Sequence, residues 1–258
     1  MKNKKIYIFI IVFLVLFALI MYITVGKDNV KSEKNELSLI LNNNTIFNYL
    51  NKSWTKEKED YIDDYNFKEY SIYLDSKYVG NYYIWNDDQW YLFDQNNNAV
   101  NYTEKFLAVK SNYDINVKEF EIENNDLTGE AGDIFNKYKI YNQDEITENT
   151  KIVIDIDNDG KDEEIYSVSN VFPMFYEPEK IFSYVFMKKD NKIYYMYKYE
   201  EEADSYSGCI PQISAIFDSD EDGISEFALT CSRYSDQEPI NSIYRFGNNG
   251  FELIISSE

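Results

Sequence analysis

The chain of 258 residues carries 46 acidic against 25 basic side chains, a formal net charge of −21, and aromatics at 17%. A surface of that sign repels nucleic acid, which is excluded as a partner. There is no histidine, which removes Ser–His and Cys–His nucleophile pairs together with the usual zinc sites.

Residues 1–5 form a short basic tail with Lys2, Lys4 and Lys5, and Ile6 through Gly26 then runs without a charged residue. That length matches the ~20 residues needed to cross a ~30 Å hydrocarbon core and exceeds the ~7–15 of a cleaved secretory segment. Thr24-Val25-Gly26 is a poor small-x-small cleavage site. Residues 6–26 are therefore expected to be an uncleaved transmembrane signal-anchor, the membrane contact of the chain. No cysteine precedes position 209, so a lipid-linked cysteine just behind the apolar run is excluded. The basic tail assigns residues 1–5 to the cytoplasm, although Lys27, Lys31 and Lys34 weaken the asymmetry.

Residues 27–66 read as a stalk leading into a short helix. Asn42-Asn43-Asn44 ends the apolar run Leu39–Leu41, and Thr45 is placed to cap a helix carrying Ile46, Phe47 and Leu50. Lys56–Asp64 is charged and reads as a solvated face. From 67 to 127 the period becomes two. Tyr70–Leu74, Tyr78–Trp85, Trp90–Phe93, Phe106–Val109 and Ile115–Ile122 are expected as strands of one antiparallel β meander, separated by Asn- and Asp-rich turns. Gln89–Val100 also resembles one choline- or glucan-binding wall repeat. Its turn glycine is absent and such repeats work in tandem, so an aromatic hairpin core is the preferred reading. Residues 128–150 are expected as a helical connector, with Thr128 as cap and Ile134, Phe135 and Tyr138 on one face.

Residues 151–258 contain one pattern twice. Asp155, Asp157, Asp159, Gly160 and Glu163 stand at the spacing of Asp218, Asp220, Asp222, Gly223 and Glu226, and both stretches fit D-x-D-x-D-G-x-x-E. Alternate carboxylates, a glycine and a closing carboxylate suit calcium, which takes six to eight oxygens at ~2.3–2.6 Å in irregular geometry. Nothing basic of matching density lies nearby in sequence. Position twelve, where a helical EF-hand has its bidentate Glu, is Tyr166 in one copy and Leu229 in the other, so neither is a complete EF-hand. The flanks are β-branched and aromatic runs of strand length. The alternative is an Asp-Gly hairpin turn whose acids only solubilise the bend.

A D-x-D-x-D-G-x-x-E loop between two strands resembles the calcium loops of FG-GAP and VCBS-type repeats. The resemblance covers roughly residues 150–256. It implies ligands at Asp155, Asp157, Asp159 and Glu163 with the Lys161 carbonyl, and at Asp218, Asp220, Asp222 and Glu226 with the Ile224 carbonyl. The phenylalanine-glycine and glycine-alanine-proline signatures of the repeat are missing, and two copies are too few for a propeller. Each copy reads instead as a loop-bearing hairpin followed by a plain hairpin, so two four-stranded units are expected, with calcium pinning the first turn of each. Exported modules bind calcium at ~0.1–1 mM, which places the C-terminal region outside the cell.

Outside the cell an even pair of cysteines, Cys209 and Cys231, favours a disulfide over two free thiols. Pairing Phe217 with Phe227 puts Ile213 opposite Cys231, so a bridge requires residues 208–212 to fold back. The expected class is mainly β: antiparallel meanders, two four-stranded repeats C-terminally, one or two short helices and an N-terminal transmembrane helix. Abundant Asn, Lys, Ile and Tyr suit an AT-rich bacterial genome. The expected function is a membrane-anchored extracellular calcium-binding surface module, not an enzyme, with a cell-wall glycan or surface protein as partner. The alternatives are a structural or sensory calcium-stabilised ectodomain and, behind it, a carboxylate glycosidase.

Overall fold

In the computed structural model, the described residues are 36–41, 45–74, 76–87, 89–100, 106–125, 127–171, 179–202, 208–233 and 237–258. The basic tail and the apolar run at 6–26 lie outside them. Among the described residues no helix is long and apolar enough to cross a membrane.

The chain is mainly β, in three antiparallel sheets. The first has eight strands. They are β1 (Glu36–Leu41), β2 (Thr45–Leu50), β3 (Ser53–Lys56), β4 (Glu69–Leu74), β5 (Lys77–Asp87), β6 (Gln89–Phe93), β7 (Ala99–Val100) and β8 (Phe106–Ser111), in the order β3-β2-β1-β8-β4-β5-β6-β7. Residues 45–50 are thus a strand, correcting the expected helix. The reason is that both faces of this segment are buried. Ile46 enters one apolar cluster and Phe47 another on the opposite side, which a strand achieves by alternation and a capped surface helix does not. Thr45 caps nothing; its hydroxyl accepts the Asn241 amide at 2.9 Å. Residues 36–41, 45–50 and 53–56 are accordingly sheet and not stalk. The expected 67–127 meander holds for β4 to β7. β8, however, inserts between β1 and β4, pairing Leu39 with Val109 and Ile72 with Ala108.

Residues 115–122 leave this sheet. Asn116–Lys118 forms β9 and Glu123–Asn124 forms β10, each an edge strand of a different C-terminal sheet. The helix α1 (Gly129–Lys137) follows and buries Ala131, Gly132 and Phe135. Gly132 is needed there, because a Cβ would stand 2.7 Å from the Leu127 carbonyl oxygen.

The second sheet joins β10 to the meander β11 (Glu148–Ile154), β12 (Glu163–Ser169), β13 (Lys180–Lys189) and β14 (Lys192–Glu202). The third joins β9 to β15 (Ile210–Asp218), β16 (Glu226–Ser232), β17 (Ile240–Gly247) and β18 (Gly250–Ser256). The two four-stranded units are present, and each gains a fifth strand from the 116–124 segment.

The third sheet lies between the other two. One face carries Ile213, Ile216, Phe227 and Leu229 against Ile152, Ile165, Val185 and Met187 of the second sheet. Its other face carries Ala215, Phe217, Ala228 and Ile243 against Leu37, Leu39, Phe47 and Val109 of the first. Burial on both faces is why β15 and β16 read as nearly continuous apolar runs. α1 closes the outer face of the second sheet, and the 3-10 turn at Glu59–Tyr65 sets Ile62 and Tyr65 against the outer face of the first. Residues 36–258 are one compact unit.

The β15–β16 register corrects the expected pairing. Phe217 lies opposite Glu226 and Ile216 opposite Phe227, and a bulge between Ile213 and Ala215 brings Pro211 opposite Cys231. Cys209 lies just ahead of β15, two residues before Pro211, and the chain turns it toward Cys231, to which it is disulfide-bonded at a Cα separation of 5.4 Å. The bridge closes 22 residues of chain, so replacing both cysteines by serine is expected to lower stability by about 3 kcal/mol. Urea unfolding of the double variant measures it; an unchanged midpoint would mean the bridge adds nothing to stability.

Candidate metal centre

Both acidic loops sit at hairpin turns and fold alike. In the first, the Ile156 N–H donates to Glu163 Oε2 at 3.0 Å, and the Asp159 and Gly160 N–H groups donate to the two Asp155 oxygens at 3.2 and 2.9 Å. The Lys161 N–H donates to Asp159 Oδ1 at 2.8 Å. The second loop repeats each bond: Ser219 to Glu226 at 2.8 Å, Asp222 and Gly223 to Asp218 at 3.2 and 2.8 Å, and Ile224 to Asp222 at 2.9 Å. Gly160 and Gly223 both have φ of +83°, the left-handed turn that the glycine supplies. Asn158 and Glu221 share it at +59° and +56°.

These bonds fix where the carboxylates point. One oxygen from each of Asp155, Asp157 and Asp159 lies within 4.8 Å of the others, as do those of Asp218, Asp220 and Asp222, and either triad could hold a metal ion. Glu163 and Glu226 lie beneath the turns, 2% and 1% exposed. Burial acts to raise the Asp155 pKa, but the N–H groups of Gly160, Asn158 and Asp159 outweigh it and hold the carboxyl below its ordinary range. The loops also touch: the Ser225 hydroxyl donates to the Ile156 carbonyl. From β9, Lys118 donates to the Asp155 carbonyl at 2.7 Å and to Asn158 at 3.0 Å.

Each loop's carboxylates also face a basic side chain from a strand beyond the hairpin, a feature that reading along the sequence missed. Lys189 contacts Glu163 and lies 3.0 Å from Asp157 Oδ2. Arg245, which looks isolated in sequence, contacts Asp222 and lies 3.7 Å from Asp220 and 3.5 Å from Glu226. Both come from the third meander strand of their unit. Arg245 is registered against Glu226, and Lys189 stands one step beyond the Glu164–Lys188 pair. Hairpin register across the two units is the signal that could have found them. Burial works against both charges, and the facing carboxylates outweigh it and raise both pKa values.

The second loop has more around it. A cleft of about 360 Å³ beside it is lined by Tyr49, Trp54, Asp220, Glu226 and Arg245. The Tyr49 hydroxyl donates to Asp220 Oδ2 at 3.3 Å, and burial together with Asp220 pushes the Tyr49 pKa up to about 12. Tyr113 donates to the Ser219 carbonyl. Asp220 Oδ1 is buried without a hydrogen-bond partner. A buried carboxylate oxygen without a partner is costly, and together with three further carboxylates it forms a donor set that fits a hard cation. No family model matches the chain, and no match was found among curated proteins or solved structures.

Proposed function

We propose that the chain is a membrane-anchored extracellular calcium-binding protein, held by residues 6–26, whose exported β region is a surface interaction module. The observation that carries this reading is the pair of loops with the same four carboxylates and the same four hydrogen bonds. Asp155, Asp157, Asp159 and Glu163 would hold one ion, with the Lys161 carbonyl. Asp218, Asp220, Asp222 and Glu226 would hold the other, with the Ile224 carbonyl. The ions would neutralise clustered like charge and fix the turn of each unit. The FG-GAP and VCBS-type resemblance rests on these loops alone, and the chain has no catalytic role in this reading.

Calorimetric titration of the full chain in detergent with calcium tests it. Two ions per chain are expected, falling to one in Asp157→Ala and in Asp220→Ala. Trp54 fluorescence should respond in Asp157→Ala and fall silent in Asp220→Ala, because Trp54 lines the cleft beside the second loop alone. A titration with no heat and no fluorescence change would leave the loops as acidic turns.

The partner we favour is a cell-wall glycan. Phe67 is 71% exposed, at a φ of +56° that a bulky residue rarely adopts. It stacks on Trp85 at 6.4 Å, and Trp85 lies 5.4 Å from Tyr91 and 6.4 Å from Phe93. Such a row offers flat faces to sugar rings. Trp85→Ala is expected to abolish co-sedimentation with purified cell walls, and retention equal to the parent's would remove the row from the reading. The built-in cations Lys189 and Arg245 favour one second reading, a sensory ectodomain in which calcium displaces them.

A further inference from the structure

Among the described residues three carboxylates are buried: Glu163, Glu226 and Glu148. The first two lie beneath the acidic loops and face Lys189 and Arg245. Glu148, 8% exposed at the start of β11, belongs to neither loop. Among the described residues no lysine or arginine pairs with it, although a carboxylate so buried ordinarily has a cation. Its two oxygens are instead divided between two neutral side chains. The Thr150 hydroxyl donates to Oε1 at 2.7 Å, and the Gln212 amide nitrogen donates to Oε2 at 3.1 Å.

The three side chains come from two sheets. Glu148 and Thr150 stand two apart on β11 and so share a face with Ile152, which packs against the third sheet. Gln212 belongs to β15 of that third sheet and stands beside its bulge between Ile213 and Ala215. Bulges re-aim neighbouring side chains and recur next to reactive sites. The surroundings are dry: Ser169, opposite Glu148, and Thr230, opposite Gln212, are 0% and 3% exposed. Together these are the parts of an acyl transfer. A hydroxyl nucleophile touches a base, and the same base touches the leaving nitrogen of an amide. A carboxylate can serve as that base, so the lack of histidine is no obstacle.

We propose that the chain joins Thr150 to Gln212 through a side-chain ester that it forms by itself, with Glu148 as the catalytic base and acid. Thr150 Oγ1 attacks Gln212 Cδ while its proton passes to Glu148. The Cδ–Nε2 bond then breaks, and Nε2 takes the proton from Glu148 and leaves as ammonia. One C–O bond replaces one C–N bond, no other reagent takes part, and Glu148 ends as it began. Ammonia is protonated and lost to the medium, which draws the step forward. Holding both groups on one carboxylate supplies the proximity that free reactants lack. The buried surroundings then keep water from the ester. The bond ties the second sheet to the third, beside the disulfide from Cys209 to β16. It forms once per chain, on the chain's own residues, and depends on no metal in the loops.

The test is mass spectrometry of the full chain purified in detergent. Its intact mass is expected to fall short of the sequence mass by the two hydrogens of the disulfide and by one ammonia. After thiol reduction and trypsin, peptide 140–151 should be found joined to peptide 199–233. Hydroxylamine should part them, since it cleaves esters and spares amides. Glu148→Gln and Thr150→Val should each retain the ammonia, and Thr150→Ser, which keeps a hydroxyl, should lose it as the parent does. A parent short of the disulfide hydrogens alone overturns the proposal. So does an ammonia loss that persists in Glu148→Gln or Thr150→Val, which would belong to another amide. A joined peptide that hydroxylamine leaves intact overturns it as well. The parent's own mass and digest carry the answer, which therefore does not depend on any variant folding.

Discussion

Excess calcium is expected to raise the unfolding midpoint of residues 36–258 by roughly 10–20 °C over the same protein in chelator. A ligand at ~100-fold over its dissociation constant stabilises by ~2.7 kcal/mol per site, so two sites give ~5 kcal/mol. In a domain of this size ~1 kcal/mol moves the midpoint by ~2–4 °C. Asp157→Ala and Asp220→Ala should each remove about half of the rise, since the loops lie in different sheets and each holds its own hairpin turn. The gain concentrates where β11 meets β12 and β15 meets β16, at turns where like charges crowd. Magnesium should do less, because it demands near-ideal octahedral geometry that a flexible loop of carboxylates supplies poorly. A thermal scan unmoved by calcium would remove the ions from the account. Lys189 and Arg245, with Lys118 and Lys161 at the first loop, would then answer the clustered charge.

The loops were legible in the sequence because their chemistry is local. Turn, ligands and closing Glu fall within nine positions, and the loop hydrogen bonds join residues at most seven apart. The two meanders were legible for the same reason, since antiparallel neighbours follow one another along the chain. What escaped is non-local. Ile46 and Phe47 read as a helix face because adjacent apolar residues suit one, and nothing nearby shows that both sides of the strand are covered. The central position of the third sheet depends on β1 and β2 reaching it from nearly 200 residues away, as the Asn241–Thr45 bond does. Lys189 and Arg245 look like ordinary strand-end bases until register sets them over the Glu.

Calcium-free protein should lose stability as the pH rises from 5 to 8, and Arg245→Met should deepen the loss. Glu226 is 1% exposed. Burial pushes its pKa up to about 7 from an ordinary 4.5, against the opposing pull of the Ser219 N–H and the Arg245 charge. With the folded value above the unfolded one, the folded state binds more protons between them. This contribution is therefore fully present below about 4.5 and lost as the pH climbs through about 7. Its size is at most ~3.5 kcal/mol, by ~1.4 kcal/mol for each pKa unit. Removing Arg245 takes away the cation facing a buried carboxylate, which costs ~3–5 kcal/mol when the carboxylate is ionised. The cost should thus be large at pH 8 and small at pH 5, where Glu226 carries its proton. Calcium reverses the order, since an ion needs the ionised carboxylate and replaces the missing charge. Arg245→Met should bind calcium more tightly than the parent at pH 8 and regain most of its stability there. Urea unfolding of both proteins at pH 5 and pH 8, each with calcium and with chelator, measures all of this. An Arg245→Met variant equally destabilised in all four conditions would show that the guanidinium acts through packing alone, with no exchange between it and an ion over Glu226.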